Sequence, residues 1–291
     1  MTLSVVIISY NEEANIGRTL ESVMLLVRDA KGEIILVDSG STDRTVEIAK
    51  SFGAKVFVEE WKGYAAQKNS AIDKATGDWI LSLDADEELS SAARDFVDLH
   101  LEETNHRFGF DGVAFNRRNY FLGRWIRYGG FYPDPKLRLF RRGSGRFENR
   151  LVHEDVRLLD GKKVFDPNLE YDEHDDYHIL HHSYPTFSDY ISHMNRYSSL
   201  GAEMAVAKGK RHFLALDIVF RPLLTFTYNY FFRLGFLDGH EGFLLHAGHA
   251  VYVSWKYMKF WELQHGNDYP ARAPSGTRSS GTASTGRSPS A

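Results

Sequence analysis

The chain has 291 residues, 43% hydrophobic and 25% charged, which is an ordinary globular composition with room for one large domain or two small ones. A net charge of −4 leaves no global basic field, so nucleic acid is not expected as a partner. With no cysteine there is neither a disulfide framework nor a thiolate metal site, and the chain fits a reducing compartment.

In chain order, MTLSVVIISYNEE has no basic n-region and no small-residue cleavage site, and predicts a first strand instead of a signal peptide. Four apolar runs, LSVVIIS (3–9), EIILVD (33–38), AKVFV (54–58) and WILSLD (79–84), have the character of strands covered on both faces. Between them, the segment 14–27 places Ile16, Leu20, Val23 and Val27 on one helical face. Ser41, Thr42 and Asp43 offer N-cap oxygens for a helix through Lys50, with Gly53 to end it. A third helix is predicted over 64–75, closed by Gly77. Strands alternating with helices imply an α/β fold with a mostly parallel sheet flanked by helices. In such sheets ligands bind beyond the carboxyl ends of strands, where Asn11, Asp38 and Asp84 fall.

The middle of the chain differs. FDGVAFNRR (110–118) and KLRLFRR (136–142) predict strands around the loop RYGGFYPDP, with Arg117, Arg118, Arg138, Arg141, Arg142, Arg146 and Arg150 clustered nearby. From Ser188 the pattern turns helical and aromatic. No uncharged apolar run there reaches the roughly 18 residues of a membrane-spanning helix. Arg221, Arg233, Asp238 and Glu241 interrupt the stretch, so no transmembrane helix is expected. The Ser/Gly/Thr/Pro-rich end is expected to be disordered. The implied division is 1–105, 106–187, 188–265 and a tail over 266–291.

LSLDADEEL (81–89) raises the chemical question, because carboxylates follow directly on a buried strand. Burying a charge is costly unless it is paired or coordinated. One reading is a solvated Asp-rich turn. The other is a pair, Asp84 and Asp86, holding a hard divalent cation that completes its shell with substrate phosphates. Asp38 in ILVDSGSTD could likewise accept backbone N–H groups from the turn that follows it. Three polar strand ends plus the D-x-D form a cleft suited to a nucleotide diphosphate.

SVVIISYNEEANI, ILVDSGSTDRT, QKNSAIDKATGDWILSLDADEEL and RLVHEDV resemble, in order, the motifs of the family 2 glycosyltransferases, over about residues 3–200. GGFYPDPKLRLFRRG, ILHHSYPTFSDYISHMNRYS and RLGFLDGHEG resemble a narrower branch that includes bacterial lipopolysaccharide-core β-glucosyltransferases. The resemblance implies a Rossmann-like GT-A fold with a helical, aromatic-rich C-terminal extension. It also implies inverting, Mg²⁺- or Mn²⁺-dependent transfer of a hexose from a nucleotide sugar, UDP-glucose being favoured.

Carried onto this sequence, the resemblance places Tyr10 on the base, Asn11 and Glu12 near the nucleoside, and Asp38 against the base. Lys68 would reach the diphosphate. Asp84 would face ribose and metal, Asp86 would bind the metal, and His181 would complete its shell or touch the diphosphate. Glu154 or Asp155 would be the base that deprotonates the acceptor, with Glu154 favoured. Arg138 is the candidate contact for an anionic ligand, since Arg suits bidentate phosphate binding; a charge-protected edge strand is the alternative. The acceptor implied is an anionic lipid-linked glycan, met at the inner face of the bacterial cytoplasmic membrane by a cytoplasmic enzyme in peripheral contact. A helical bundle or a dimer interface would account for the same aromatic stretch. Two competing functions are a sugar-nucleotide nucleotidyltransferase, disfavoured because SYNEEAN lacks glycine, and an inactive scaffold, disfavoured by the carboxylates at 38, 84, 86 and 154.

Overall fold

A computed structural model describes residues 1–29, 32–102, 109–148, 155–167, 177–209 and 216–265. Its first half is built on β1 (Leu3–Ser9), β2 (Glu33–Asp38), β3 (Lys55–Val58) and β4 (Trp79–Asp84), parallel in the order β3-β2-β1-β4. These bounds match the four predicted runs, trimmed by one residue at β3.

Side-chain alternation divides each central strand between two cores. Leu3, Val5 and Ile7 of β1 join Ile34 and Leu36 of β2 and Trp79, Leu81 and Leu83 of β4 under α1 (Ile16–Asp29). On the other face Val6, Ile8, Ile35, Val37 and Ile80 pack under α3 (Tyr64–Asp73). Helix α2 (Thr45–Ser51) starts later than Ser41–Asp43 would predict. Asp43 still serves the helix start, its Oδ1 accepting from Thr45 N at 3.0 Å, while Ser41 Oγ and Asp43 Oδ2 serve the end of β1, accepting from Asn11 N at 2.8 Å and Glu13 N at 3.1 Å.

The second half is mixed. After β4 come β5 (Glu87–Leu89), α4 (Ser91–Glu102), β6 (Gly112–Phe121), β7 (Arg124–Trp125) and β8 (Pro135–Arg141). Then follow β9 (Gly145–Phe147), β10 (Val156–Leu158), β11 (Val164–Phe165) and β12 (His178–Tyr184). The sheet continues β4-β8-β6-β12-β5, with β12 parallel to β6 and antiparallel to β5. Ala85 and Asp86 alone separate β4 from β5 in sequence, yet β8, β6 and β12 lie between those strands in the sheet. A connection that short forces the sheet to curl back on itself, and β8, β6 and β12 line the curl. Strand β8 is therefore central, and charge protection of an edge does not explain its arginines.

The C-terminal part is helical and aromatic, as expected. Helix α5 (Phe187–Ala207) opens with a capping box between Thr186 and Asp189. A continuous helical run follows: a π-turn Leu216–Phe220, α6 (Arg221–Thr227) and a second π-turn Tyr228–Phe232. A 3₁₀ turn, Gly235–Asp238, leads into α7 (Gly239–His265). Helix α7 packs on α5 through Phe260 against Ala202 and Ala205. Buried His246 of α7 wedges between Gly129 and Gly235, where an added Cβ would come within 2.1 and 2.3 Å of its ring, so both positions require glycine. Among the described residues no helix is long and apolar enough to cross a membrane.

Candidate active site

The chain leaves β1 through α1 to one side, builds β2 and β3, and returns through α3 to β4 on the other side. The carboxyl ends of β1 and β4 thus flank a topological switch point, where open α/β sheets form a crevice. The register pairs Ser9 with Asp38 and Ile8 with Asp84. Residues 10–12, 38–41 and 84–86 therefore share one edge.

Asp38 is fully buried. Its Oδ1 accepts from Gly40 N (2.9 Å) and Ser41 N (2.7 Å), and its Oδ2 from the hydroxyls of Ser9 (2.7 Å) and Ser41 (2.5 Å). The carboxylate shapes the turn after β2. Asn11 lies in the left-handed region at φ 55°, which Asn tolerates, and its Oδ1 accepts from Thr42 N at 2.8 Å. That turn leaves Tyr10 exposed at the mouth of the crevice.

Asp84 is held from two sides, by Lys68 Nζ at 2.7 Å and Arg138 Nη2 at 2.9 Å. Burial alone would raise its pKa, but these two cations outweigh it and hold the carboxyl far below the usual range. Lys68 also lies over the Phe147 ring, 5.0 Å from its centroid. Arg138 continues inward to Glu87 Oε1 at 2.6 Å, and Glu87, fully buried, also meets Arg117 at 3.3 Å. Arg117 reaches Asp134 at 2.9 Å, and Lys136 reaches Asp134 at 3.2 Å. Alternating charges from β4, β5, β6 and β8 fill the curl, which is how it can hold so many without stranding one.

Asp86, on the turn between β4 and β5, faces Nε2 of His181 at 3.2 Å. His181 comes from β12, in register with Asn119 of β6 and Glu87 of β5. Its Nδ1 lies 2.8 Å from Asn119 Oδ1 and 2.7 Å from Ser183 Oγ. Burial raises the Asp86 pKa, yet His181 brings it below the ordinary value, against the opposing Asp84 charge. Glu12 is the reverse case. Burial, opposed by the Asn15 hydrogen bond and aided by Asp86, Asp43 and Asp84, pushes it up to about 7.

These groups can be tested for a divalent cation. Among the described residues no group of three or more His, Asp or Glu side chains is placed to hold one. A Mg²⁺-type ion needs no such cage, because it keeps waters and substrate phosphates. Neighbouring ligands of an octahedral ion stand roughly 3 Å apart, and Asp86 Oδ2 and His181 Nε2 are 3.2 Å apart. One carboxylate oxygen and one imidazole nitrogen at that separation are a donor set that fits Mg²⁺ or Mn²⁺.

Residues 4–144 match the family model described as Glycosyl transferase family 2. The lipopolysaccharide core biosynthesis glycosyltransferase LpsC of Rhizobium meliloti (strain 1021) is 31% identical over 268 residues, covering 90% of this chain and 93% of that protein. The chain belongs to glycosyl transferase family 2. This glycosyltransferase is also 32% identical over 258 residues to the uncharacterized glycosyltransferase RT0209 of Rickettsia typhi, covering 83% of this chain and 80% of that one. Among solved structures, the mannosyltransferase PcManGT of Pyrobaculum calidifontis, in complex with GDP-Man and Mn²⁺, aligns at 18% identity and a TM-score of 0.47. That alignment covers 91% of this chain and 86% of PcManGT.

In the family 2 enzyme, Tyr10, Asn11, Glu12, Asp38, Lys68, Asp84, Asp86 and His181 gather at one crevice. Arg138, expected at an anionic ligand, is nearly enclosed behind Asp84 and Glu87. Asp155 is exposed, with Lys136 Nζ 3.7 Å away, and lines an open cavity of about 410 Å³ with Glu148, Val156 and Arg157. Glu154 lies outside the described residues. Sequence reasoning missed Glu87, Arg117, Asn119 and Asp134. The alternation of Arg117 and Asn119 along FNRRNYF was the available signal, since it puts both on one face of β6.

Proposed function

We propose that this glycosyltransferase is an inverting, metal-dependent hexosyltransferase, using a UDP-sugar such as UDP-glucose and an anionic, lipid-linked glycan acceptor of the lipopolysaccharide-core type. The observation that carries the reading is Asp84-Ala85-Asp86 at the switch point, with His181 opposite Asp86 and exposed Tyr10 beside it. The acceptor class is supported by the similarity to LpsC, and the donor by the motif resemblance.

In this reading the uracil stacks on Tyr10, with the turn built on Asp38 and Asn11 shaping its seat. Asp86 and His181 would hold Mg²⁺ or Mn²⁺, with Asp84 beside them and Lys68 on the side of the diphosphate. The ion supplies charge neutralisation for the departing nucleoside diphosphate. Glu154, or Asp155, takes the proton from the acceptor hydroxyl as its oxygen attacks the anomeric carbon from the face opposite the diphosphate. The carbon–oxygen bond to phosphate breaks, and the configuration inverts.

Nucleoside diphosphate release from a panel of nucleotide sugars, with Mn²⁺, Mg²⁺ or EDTA, tests this. A single metal-dependent hit is expected from a UDP-hexose. Silence across the panel together with absent donor binding would transfer the protein to the scaffold class.

A further inference from the structure

The segment KGKRHFLALDIVFRPLLTFTYNYFFRL (208–234) is not absorbed by the crevice. Its helical run alternates a π-turn, α6 and a second π-turn. Four residues overshoot a full turn by about 40° in an α-helix and undershoot it in a π-helix of roughly 4.4 residues per turn. Alternating the two cancels the drift, so residues spaced by four stay on one face. Leu216, Phe220, Leu224, Tyr228 and Phe232 have that spacing, and their exposures run from 52% to 75%. Contiguous exposed apolar surface of this kind marks an interaction site.

Charge selects the occupant. Both acidic residues of 216–238, Asp217 and Asp238, are buried, and Asp217 is ion-paired with Arg221 at 2.7 Å. The exposed formal charges in that span are Arg221 and Arg233, and Lys208, Lys210 and Arg211 precede it in sequence. An apolar, aromatic face whose own span exposes basic charges and buries its acidic ones matches an anionic lipid surface. Two copies of such a face would bring like charges together. Residues 266–291 are a poor cover, because they contain Tyr269 as their one aromatic and no branched aliphatic side chain.

The face is also tied to the crevice. Arg233 O accepts from Gly129 N at 2.9 Å, and the Asp238 carboxylate accepts from Arg127 N (3.1 Å) and Tyr128 N (2.8 Å). The same loop ends at Asp134, which bonds Asn119 beside His181.

We propose that the face of Leu216, Phe220, Leu224, Tyr228 and Phe232 seats in the headgroup layer of an anionic bilayer and carries the 127–134 loop to the lipid surface. This deepens the lipid-linked acceptor reading and rests on it for the acceptor alone. The test is flotation of the full chain with phosphatidylglycerol/phosphatidylethanolamine vesicles and with phosphatidylcholine vesicles, beside the variant Leu224→Ser/Phe232→Ser. Circular dichroism and nucleoside diphosphate release report on fold and site. Wild type should float with the anionic vesicles. The variant should bind them at least tenfold more weakly, while releasing nucleoside diphosphate at the wild-type rate. Wild type that stays at the bottom, or a variant that floats equally well, overturns the proposal. So does a solution dimer that the variant dissociates without any vesicle binding. Equal flotation with phosphatidylcholine overturns the anionic preference. Flotation with no donor turnover would instead count against the hexosyltransferase reading.

Discussion

Asn119 Oδ1 lies 2.8 Å from Nδ1 of His181, and the same amide donates through Nδ2 to Asp134 Oδ2 at 3.2 Å and Phe131 O at 3.4 Å. Two acceptors on the nitrogen side fix the amide orientation, so its oxygen meets the imidazole and the proton belongs on Nδ1. Nε2 then offers its lone pair towards Asp86. Two electron-rich atoms 3.2 Å apart call for a cation between them, either a proton or a metal ion.

Asn119→Ala should therefore weaken Mn²⁺ binding about 10- to 100-fold, the usual cost of losing an outer partner of a ligating histidine. Calorimetric titration of Mn²⁺ without donor reads this directly. Asn119→Asp keeps an acceptor and should retain most of the affinity. Unchanged binding in the alanine variant would remove Asn119 from the site.

Glu12 makes a pH prediction. The free carboxyl ionises near 4.5 and the folded one near 7, held up by burial and then by Asp86, Asp43 and Asp84. Between those values the unfolded chain has lost a proton that the folded protein keeps, so stability falls as pH rises across the window and levels off above it. Glu12→Gln removes that loss. Its stability relative to wild type should grow from about pH 4.5 to about 7 and then hold steady, as read from urea midpoints. A difference independent of pH would show that neither burial nor the neighbouring carboxylates raise the Glu12 pKa in the folded protein.

The buried pair Arg138–Glu87 should behave as interior charges do. Arg138→Met leaves Glu87, fully buried, with Arg117 at the longer distance of 3.3 Å, and should cost about 3–5 kcal/mol in urea unfolding. Adding Glu87→Gln keeps the acceptor for Asp84 N while removing the stranded charge, and should recover part of the loss. A single variant as stable as wild type would mean that the network is not a stability element.

The parallel half of the fold was legible because β-branched runs need no partner to be recognised, although only β1, β2 and β4 are covered on both faces; β3 is an edge strand that leaves Phe57 and Val58 exposed. The curl was not legible. β5 is the tripeptide EEL and β12 is HILHHSY, neither of which alternates cleanly; β5 becomes a strand by pairing with β12, and β12 by pairing with β5 and β6. The residues of β1, β2 and β4 at the crevice followed from strand ends, a local signal. Glu87 reaches the site through the long-range closure, which no local pattern reports; alternation along β6 pairs Arg117 with Asn119 on one face but does not say what that face meets. Ser41–Asp43 show the same limit in part, since Asp43 Oδ1 does meet Thr45 N at the start of α2, whereas Ser41 Oγ and Asp43 Oδ2 are taken by the backbone of Asn11 and Glu13.

The acceptor base is the last assignment open to direct test. Asp155 is exposed, its backbone oxygen accepts from Glu148 N at 3.2 Å, and its carboxylate lies 3.7 Å from Lys136. Glu154→Gln should leave UDP-hexose binding intact and lower transfer by about 10²- to 10⁴-fold, the scale of a lost general base. Asp155→Asn should transfer nearly as wild type. The discriminating measurement is single-turnover transfer to acceptor alongside donor affinity for both variants. Normal transfer by Glu154→Gln with loss in Asp155→Asn would move the base one residue along the chain. Loss of donor binding in Glu154→Gln would make that residue part of the donor site, and leave proton removal to another group.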